Sequence, residues 1–201
     1  LDFQFLRSIS QWAMFQSHVR LHGTGPLRAP WTFGERAVEN FRKYAKIRYR
    51  LLPYIYSHAY QATRTGLPLM RAMVLEYQHD PCTHTLEDQY MFGDALLVAP
   101  VFGAAVARTV YLPRGLWYDF HTGAERRGPD TLAIAPPLEV LPLYVKADTI
   151  IPMGPDMAFV GQRPFDPITL EIRVRSNAAF TLYDDDERAR TEEIVSCRAH
   201  R

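Results

Sequence analysis

The stretch TFGERAVENFRKYAKIRYRLLPYIYSHAYQATRTGLPLMRAMVLEY, residues 32–77, contains the change of pattern on which the fold turns. Thr32 and Glu35 stand at the spacing of a capping box, in which a hydroxyl and a carboxylate satisfy backbone donors at a helix start. From there Val38, Phe41, Ala45, Arg48, Leu52, Ile55 and Ala59 recur every three or four residues, which predicts one long helical face. Pro53 lies inside this run and should kink it or divide it in two, because proline has no N–H to give and crowds the preceding turn. Gly66, with Pro68 two residues on, is a stop signal.

After residue 67 the period changes. The runs Leu69–Tyr77, Ala95–Val101, Arg108–Leu112, Leu116–Phe120, Leu138–Val145, Ile168–Val174 and Ala179–Tyr183 are short and rich in β-branched and aromatic residues, as strands are. Pro113-Arg114-Gly115 and Thr122-Gly123 read as turns between them. Upstream, the spacing of Phe5, Leu6, Ile9, Trp12 and Ala13 predicts a helix over 2–17. A short extended piece, 18–22, follows and is ended by Gly23-Thr24-Gly25-Pro26. A single helix-to-strand boundary fits the helical end of one domain followed by a β-sandwich. The polar tail 188–201 shows no strand order and reads as disordered or cut off. The start, Leu1 in place of Met, reads as cut too, and a secretion signal upstream is left open.

The bulk composition is that of a globular protein: 201 residues, 47% hydrophobic and 22% charged. With 23 Lys and Arg against 22 Asp and Glu, the net charge is +1, so nothing marks a nucleic-acid footprint. No run of 18 apolar residues predicts a membrane span. Two cysteines, Cys82 and Cys197, define no disulfide framework. The 12% aromatic content suits sugar stacking and β-rich cores equally.

Five blocks in order resemble glycoside hydrolase family 31: VRLHG at 19–23 with APW at 29–31; RYRLLPYIY at 48–56; GLPLMRAMVLEY at 66–77 with His79-Asp80-Pro81; DQYMFGDALLVAPVF at 88–102; and VYLPRGLWYDFHTG at 110–123 with LEVLPLYVKADTIIPMG at 138–154. The resemblance implies an α/β plus β fold. Residues 1–67 would be the C-terminal end of a (β/α)-eight barrel, with strand eight ending near His22 and its helix running from about Phe33 to Thr65. Residues 68–160 would be a proximal antiparallel β-sandwich, and 161–201 the start of a distal β-domain. Arg20-Leu21-His22-Gly23 and Arg71-Ala72-Met73 sit nearest the α-xylosidase branch, with α-glucosidases sharing most blocks. Two departures stand out. Ser8-Ile9-Ser10-Gln11 replaces the family's Arg-Trp-x-Gln, which bears on packing around the barrel, and Tyr77-Gln78 replaces a Phe-Pro pair.

The resemblance implies a retaining α-glycosidase acting on an α-linked xyloside or glucoside, with an oligosaccharide or glycoside as partner, and it implies no cofactor or metal. Such chemistry needs two carboxyl groups about 5–5.5 Å apart. The family motifs that carry them lie before strand seven, so no catalytic residue is assigned here. His22 is the leading substrate contact, since barrel active sites sit at the C-terminal ends of strands and a neutral imidazole can both donate and accept. Arg20, two residues earlier, would point to the same side and orient a carboxylate, or else form a structural ion pair. Trp31 would line the entrance or pack beneath the loop. Asp88, Asp94 and Asp119 read as turn or cap residues. His79, Cys82 and His84 lack the second ligand pair of a zinc site, and Asp184-Asp185-Asp186-Glu187 lacks the glycine and terminal glutamate of a calcium loop. The competing class is a non-catalytic carbohydrate-binding or structural β-domain with a helical lead-in. With the other barrel strands outside this sequence, the face of Phe41, Leu52 and Ile55 is expected to be bare, leaving 1–66 fluctuating beside an ordered 68–160.

Overall fold

The computed structural model describes residues 10–22, 24, 29–102, 107–185 and 192–200. Two α-helices come first, α1 (Glu35–Arg50) and α2 (Leu52–Thr65). The break falls at Leu51, and Pro53 occupies the first turn of α2, where a missing N–H costs nothing. Gly66 closes α2 at φ 77°, its N–H bonded to the Ala62 carbonyl at 2.9 Å. A side chain at that φ would be strained, so glycine serves as the stop.

The capping box does not form. Thr32 lies in a 3-10 turn, Pro30–Phe33, and its hydroxyl donates to the Ala29 carbonyl at 2.7 Å. The helix starts at Glu35, with Gly34 at φ 89° as its N-cap and no side-chain cap. The buried helical face also differs from the apolar row. Ala37, Asn40, Tyr44, Leu51, Tyr54, Ile55 and His58 are buried, while Phe41, Ala45 and Leu52 are only half-buried. Hydrophobicity favours Phe41 over Tyr44, but Tyr44 can bury fully because its hydroxyl finds partners. It donates to the Glu139 carbonyl at 3.1 Å and accepts the Leu141 N–H at 2.7 Å.

Ten strands follow: β1 (Met70–Ala72), β2 (Tyr90–Phe92), β3 (Leu96–Val98), β4 (Arg108–Asp119), β5 (Glu125–Ile134), β6 (Leu143–Lys146), β7 (Thr149–Met153), β8 (Thr169–Arg173), β9 (Asn177–Asp185) and β10 (Glu192–His200). The first six form one sheet in the order β1-β2-β3-β6-β4-β5, and β7-β8 and β9-β10 form two-stranded ladders. Every pairing is antiparallel. The predominance of antiparallel sheet after residue 67 agrees with the sequence reading.

Several local expectations are corrected. The strand expected over Leu69–Tyr77 stops at Ala72 and passes into a helical turn, α3 (Met73–Glu76). Pro113-Arg114-Gly115 is a bulge inside the continuous strand β4, marked by a register shift between Leu112 and Gly115. The Pro113 carbonyl, freed from the ladder, accepts the Trp117 indole N–H at 2.9 Å. β5 is too polar to show a strand pattern, yet it pairs with β4 along its length. The polar tail is ordered at the backbone over 192–200, where it pairs residue by residue with 177–185, since ladder bonds need no apolar side chains. Of the helix expected over 2–17, residues 1–9 lie outside the described part. Trp12–Phe15 forms one 3-10 turn, and Gln16 is already extended.

The main core draws on every part of the chain: Phe15, Tyr44, Tyr54 and Ile55 from the front, Phe92, Leu96, Val98 and Leu143 from the sheet, Ile151 from β7 and Phe180 from β9. A second core lies on the other face of the sheet and includes Met91, Leu97, Val110, Leu112 and Trp117. Alternation along β3 sends Leu96 and Val98 to one core and Leu97 to the other, so all three are fully buried. Helix α2 packs chiefly on β9 and β7, so of the face expected to be bare Ile55 is only 9% exposed, while Phe41 and Leu52 are half-buried.

Candidate functional site

Residues 19–22 form neither helix nor strand and pair in no ladder among the described residues. What places them is the segment just before. Arg48, in the last turn of α1, sends its guanidinium to three carbonyls: Met14 at 2.8 Å, Gln16 at 2.7 Å and Ser17 at 3.3 Å. Five donors in a rigid fork suit one side chain to gather several acceptors. From the sheet, the Tyr90 hydroxyl donates to the Phe15 carbonyl at 2.7 Å. Gln11 donates to the Leu138 carbonyl at 2.7 Å. Burial draws the Arg48 guanidinium below its ordinary pKa and pushes the Tyr90 hydroxyl above its own. Both therefore sit in a setting where hydrogen bonds are strengthened by reduced solvent competition.

Beyond this staple, Arg20 and His22 come together as their two-residue spacing implies, with Arg20 Nη2 3.1 Å from His22 Nδ1. Both are exposed. They rim a hollow of about 300 Å³ whose other walls are Ala13, Met14, Val19, Leu21 and Phe41. The arrangement offers polar groups with nitrogen donors above an apolar floor, a chemistry that can hold a hydroxylated ligand by its edges while its C–H face meets hydrocarbon. Trp31 joins none of this packing: it is 69% exposed, so the reading of a packed aromatic beneath the loop is corrected.

The remaining candidates are dispersed. Asp119 performs turn duty, its Oδ1 accepting the His121 and Thr122 N–H groups at 2.9 and 2.8 Å. Asp94 sits in the turn between β2 and β3, as expected, with its carboxylate 3.2 Å from the His58 ring, while Asp88 forms an ion pair with Arg108 at 3.0 Å. His84 faces the Gln78 carbonyl at 2.9 Å, and Asp80 accepts the Cys82 N–H at 3.1 Å. Asp185 receives the hydroxyls of Tyr56 and Tyr183 at 2.5 and 3.0 Å. Asp186 and Glu187 lie outside the described residues. Among the described residues no three His, Cys, Asp or Glu side chains group as metal ligands would. Nor is any described helix long and apolar enough to cross a membrane. Arg48 is the residue that sequence reasoning missed. Its signal was an arginine in an otherwise apolar helical row.

Residues 5–58 match the family model for the glycosyl hydrolases family 31 TIM-barrel domain, and residues 66–151 match that for the glycosyl hydrolase family 31 C-terminal domain. Together the two take in more than two thirds of the 201 residues. The chain belongs to glycoside hydrolase family 31. It is 35% identical over 178 residues to an α-xylosidase of Saccharolobus solfataricus, covering 88% of this chain and 24% of that protein. With α-glucosidase 2 of Bacillus thermoamyloliquefaciens it shares 35% identity over 160 residues, covering 78% of this chain and 20% of the relative. The solved α-xylosidase of Xanthomonas citri superposes with a TM-score of 0.83 at 37% identity, over 88% of this chain and 20% of that structure. The chain thus spans about a quarter or less of the length of these relatives.

Proposed function

We propose that this chain is part of a retaining α-glycosidase that hydrolyses α-linked xylosides or glucosides, and that His22 contacts the sugar while Arg20 orients it or a neighbouring carboxylate. In this reading residues 1–67 are the end of a (β/α)-eight barrel with strand eight at 18–22, residues 68–160 are the proximal β-sandwich, and 161–201 begin a distal β-domain. The nucleophile and the acid/base belong to polypeptide outside these 201 residues, so the isolated chain is inactive. Oligosaccharides or glycosides are its substrates, with neither nucleic acid nor membrane as partner.

One observation carries the reading. The imidazole of His22 faces solvent at the rim of a hollow, beside the Arg20 guanidinium, on backbone held by Arg48. A histidine kept for packing would be buried, as His58 is at 3% exposure, whereas His22 is exposed. The similarity to α-xylosidases and α-glucosidases supports the substrate class.

The test is His22→Ala in the full-length enzyme. The expected result is a fall in kcat/KM of about a hundredfold on an aryl α-xyloside or α-glucoside, the size of effect that losing hydrogen bonds to a bound sugar produces, with an unchanged melting temperature. Unaltered kcat/KM would overturn the role.

A further inference from the structure

We infer that a polar network at the seam between α2 and the sheet, built on the buried side chains of Tyr54, His58 and Arg71, is a latch that makes the two one cooperative unit, so that the stretches matching the barrel and the C-terminal domain do not open separately. The network draws on four places in the chain. From α2 come His58, 3% exposed, Gln61 and the fully buried Tyr54. From β1 comes Arg71, also 3% exposed, and Glu76 from α3 and Asp94 from the turn after β2 complete it.

The geometry is interlocking. His58 Nε2 lies 3.2 Å from Asp94 Oδ1, and Nδ1 lies 2.9 Å from Gln61 Oε1. The Tyr54 hydroxyl is 3.3 Å from the same Asp94 oxygen, donates to the Phe92 carbonyl at 2.8 Å and accepts the Ala95 N–H at 3.1 Å. Arg71 holds Glu76 at 2.6 Å, donates from Nε to the Pro68 carbonyl at 2.8 Å and reaches Gln61 Oε1 from Nη2 at 3.4 Å. Gly93 seats the sheet against this cluster so closely that a β-carbon would stand 2.1 Å from the Tyr54 hydroxyl and 2.6 Å from His58 Nε2.

Apolar contacts between a helix and a sheet are non-directional and tolerate sliding. Polar groups taken out of water, as Tyr54, His58 and Arg71 are, do not, because each must keep its partner or be left uncompensated. The contacts of Tyr54 with Phe92, Asp94 and Ala95, of His58 with Asp94 and of Gln61 with Arg71 cross the seam, so α2 cannot lift away without breaking them. The family matches end at 58 and resume at 66, and the network straddles that gap. None of its members lines the hollow beside His22, so the latch is separate from the candidate site.

Hydrogen exchange followed by mass spectrometry on the 201-residue chain tests this. In the wild-type chain, peptides from α2 and from β3 and β6 are expected to share one level of protection, as parts of one cooperative unit do. In Asp94→Asn, α2 amides are expected to exchange about tenfold faster or more while those of β3 and β6 change little, because the buried partners of one carboxylate are lost. If Asp94→Asn does not fold, His58→Gln supplies the same comparison. Wild-type α2 exchanging far faster than the strands, or a variant accelerating helix and strands alike, would overturn the latch.

Discussion

Arg48 Nη1 lies 2.7 Å from the carbonyl oxygen of Gln16, a contact that ties α1 to the segment leading to Arg20 and His22. A second bond from the same nitrogen reaches Met14 at 2.8 Å, so one side chain sets the height of the candidate site above the helix.

Replacing Arg48 by Met keeps the stem and removes the fork. It should lower stability by about 2 kcal/mol, the scale of losing charge-assisted bonds at a partly buried site. Urea unfolding of the chain measures this. In the full-length enzyme KM should rise more than kcat falls, because the variant loosens a sugar contact without touching a reacting group.

Gly93 and Gly123 both have positive φ, 65° and 72°, but they differ in what surrounds them. Gly93→Ala would drive a methyl into Tyr54 and His58, whereas Gly123→Ala meets nothing within 4 Å. The expected losses are about 3 kcal/mol or more at 93, where overpacking adds to backbone strain, and about 1 kcal/mol at 123, where strain acts alone. Equal losses in denaturant titrations would contradict the close approach.

Burial pushes the Tyr44 hydroxyl up to about 12. Its raised value means that stability is whole below the ordinary tyrosine pKa, near 10, and is lost as pH rises toward 12. Tyr44→Phe should cost about 1–2 kcal/mol at neutral pH, since the Leu141 N–H loses a buried acceptor. It should also flatten the alkaline decline. Melting temperatures from pH 7 to 11 check both.

Asp148 stands at φ 60° and accepts the N–H groups of Arg175 and Ser176 at 2.7 and 2.8 Å, which hold its carboxyl below the usual range. A depressed folded pKa gives stability that is present above the unfolded value, near 3.9, and is lost as pH falls through the folded one. Asp148→Asn, which tolerates the same backbone conformation, should leave a shallower loss of stability between pH 5 and 2. Urea midpoints across that range provide the test.

Some features were legible because a single residue's covalent geometry decides them. Pro53 divided the long helix, Gly66 ended it and Thr122-Gly123 turned the chain, wherever their neighbours lay. The five motif blocks likewise pointed to the family that the two domain matches bear out. Other features depended on partners distant in sequence. Thr32 had the spacing of a cap but bonded backward to Ala29 within a 3-10 turn. Pro113-Arg114-Gly115 had turn composition, yet β5 paired on both sides of it and made it a bulge.

The candidate site divides the same way. His22 and its two-residue relation to Arg20 could be read from the chain, and the structure brings the two side chains to 3.1 Å. The role of Arg48 could not, because its acceptors are backbone carbonyls 31 to 34 residues away, and carbonyls carry no sequence signature. By itself the sequence determined where helix gives way to strand and which family the motifs follow, since local conformation and motif order are properties of neighbouring residues. Only tertiary structure decided that Tyr44 and not Phe41 is buried, that a polar tail becomes a strand, and that His58 and Arg71 share a network. Burial and hydrogen bonding depend on which groups the fold brings within about 3 Å, and the chain fixes that only once it has closed on itself.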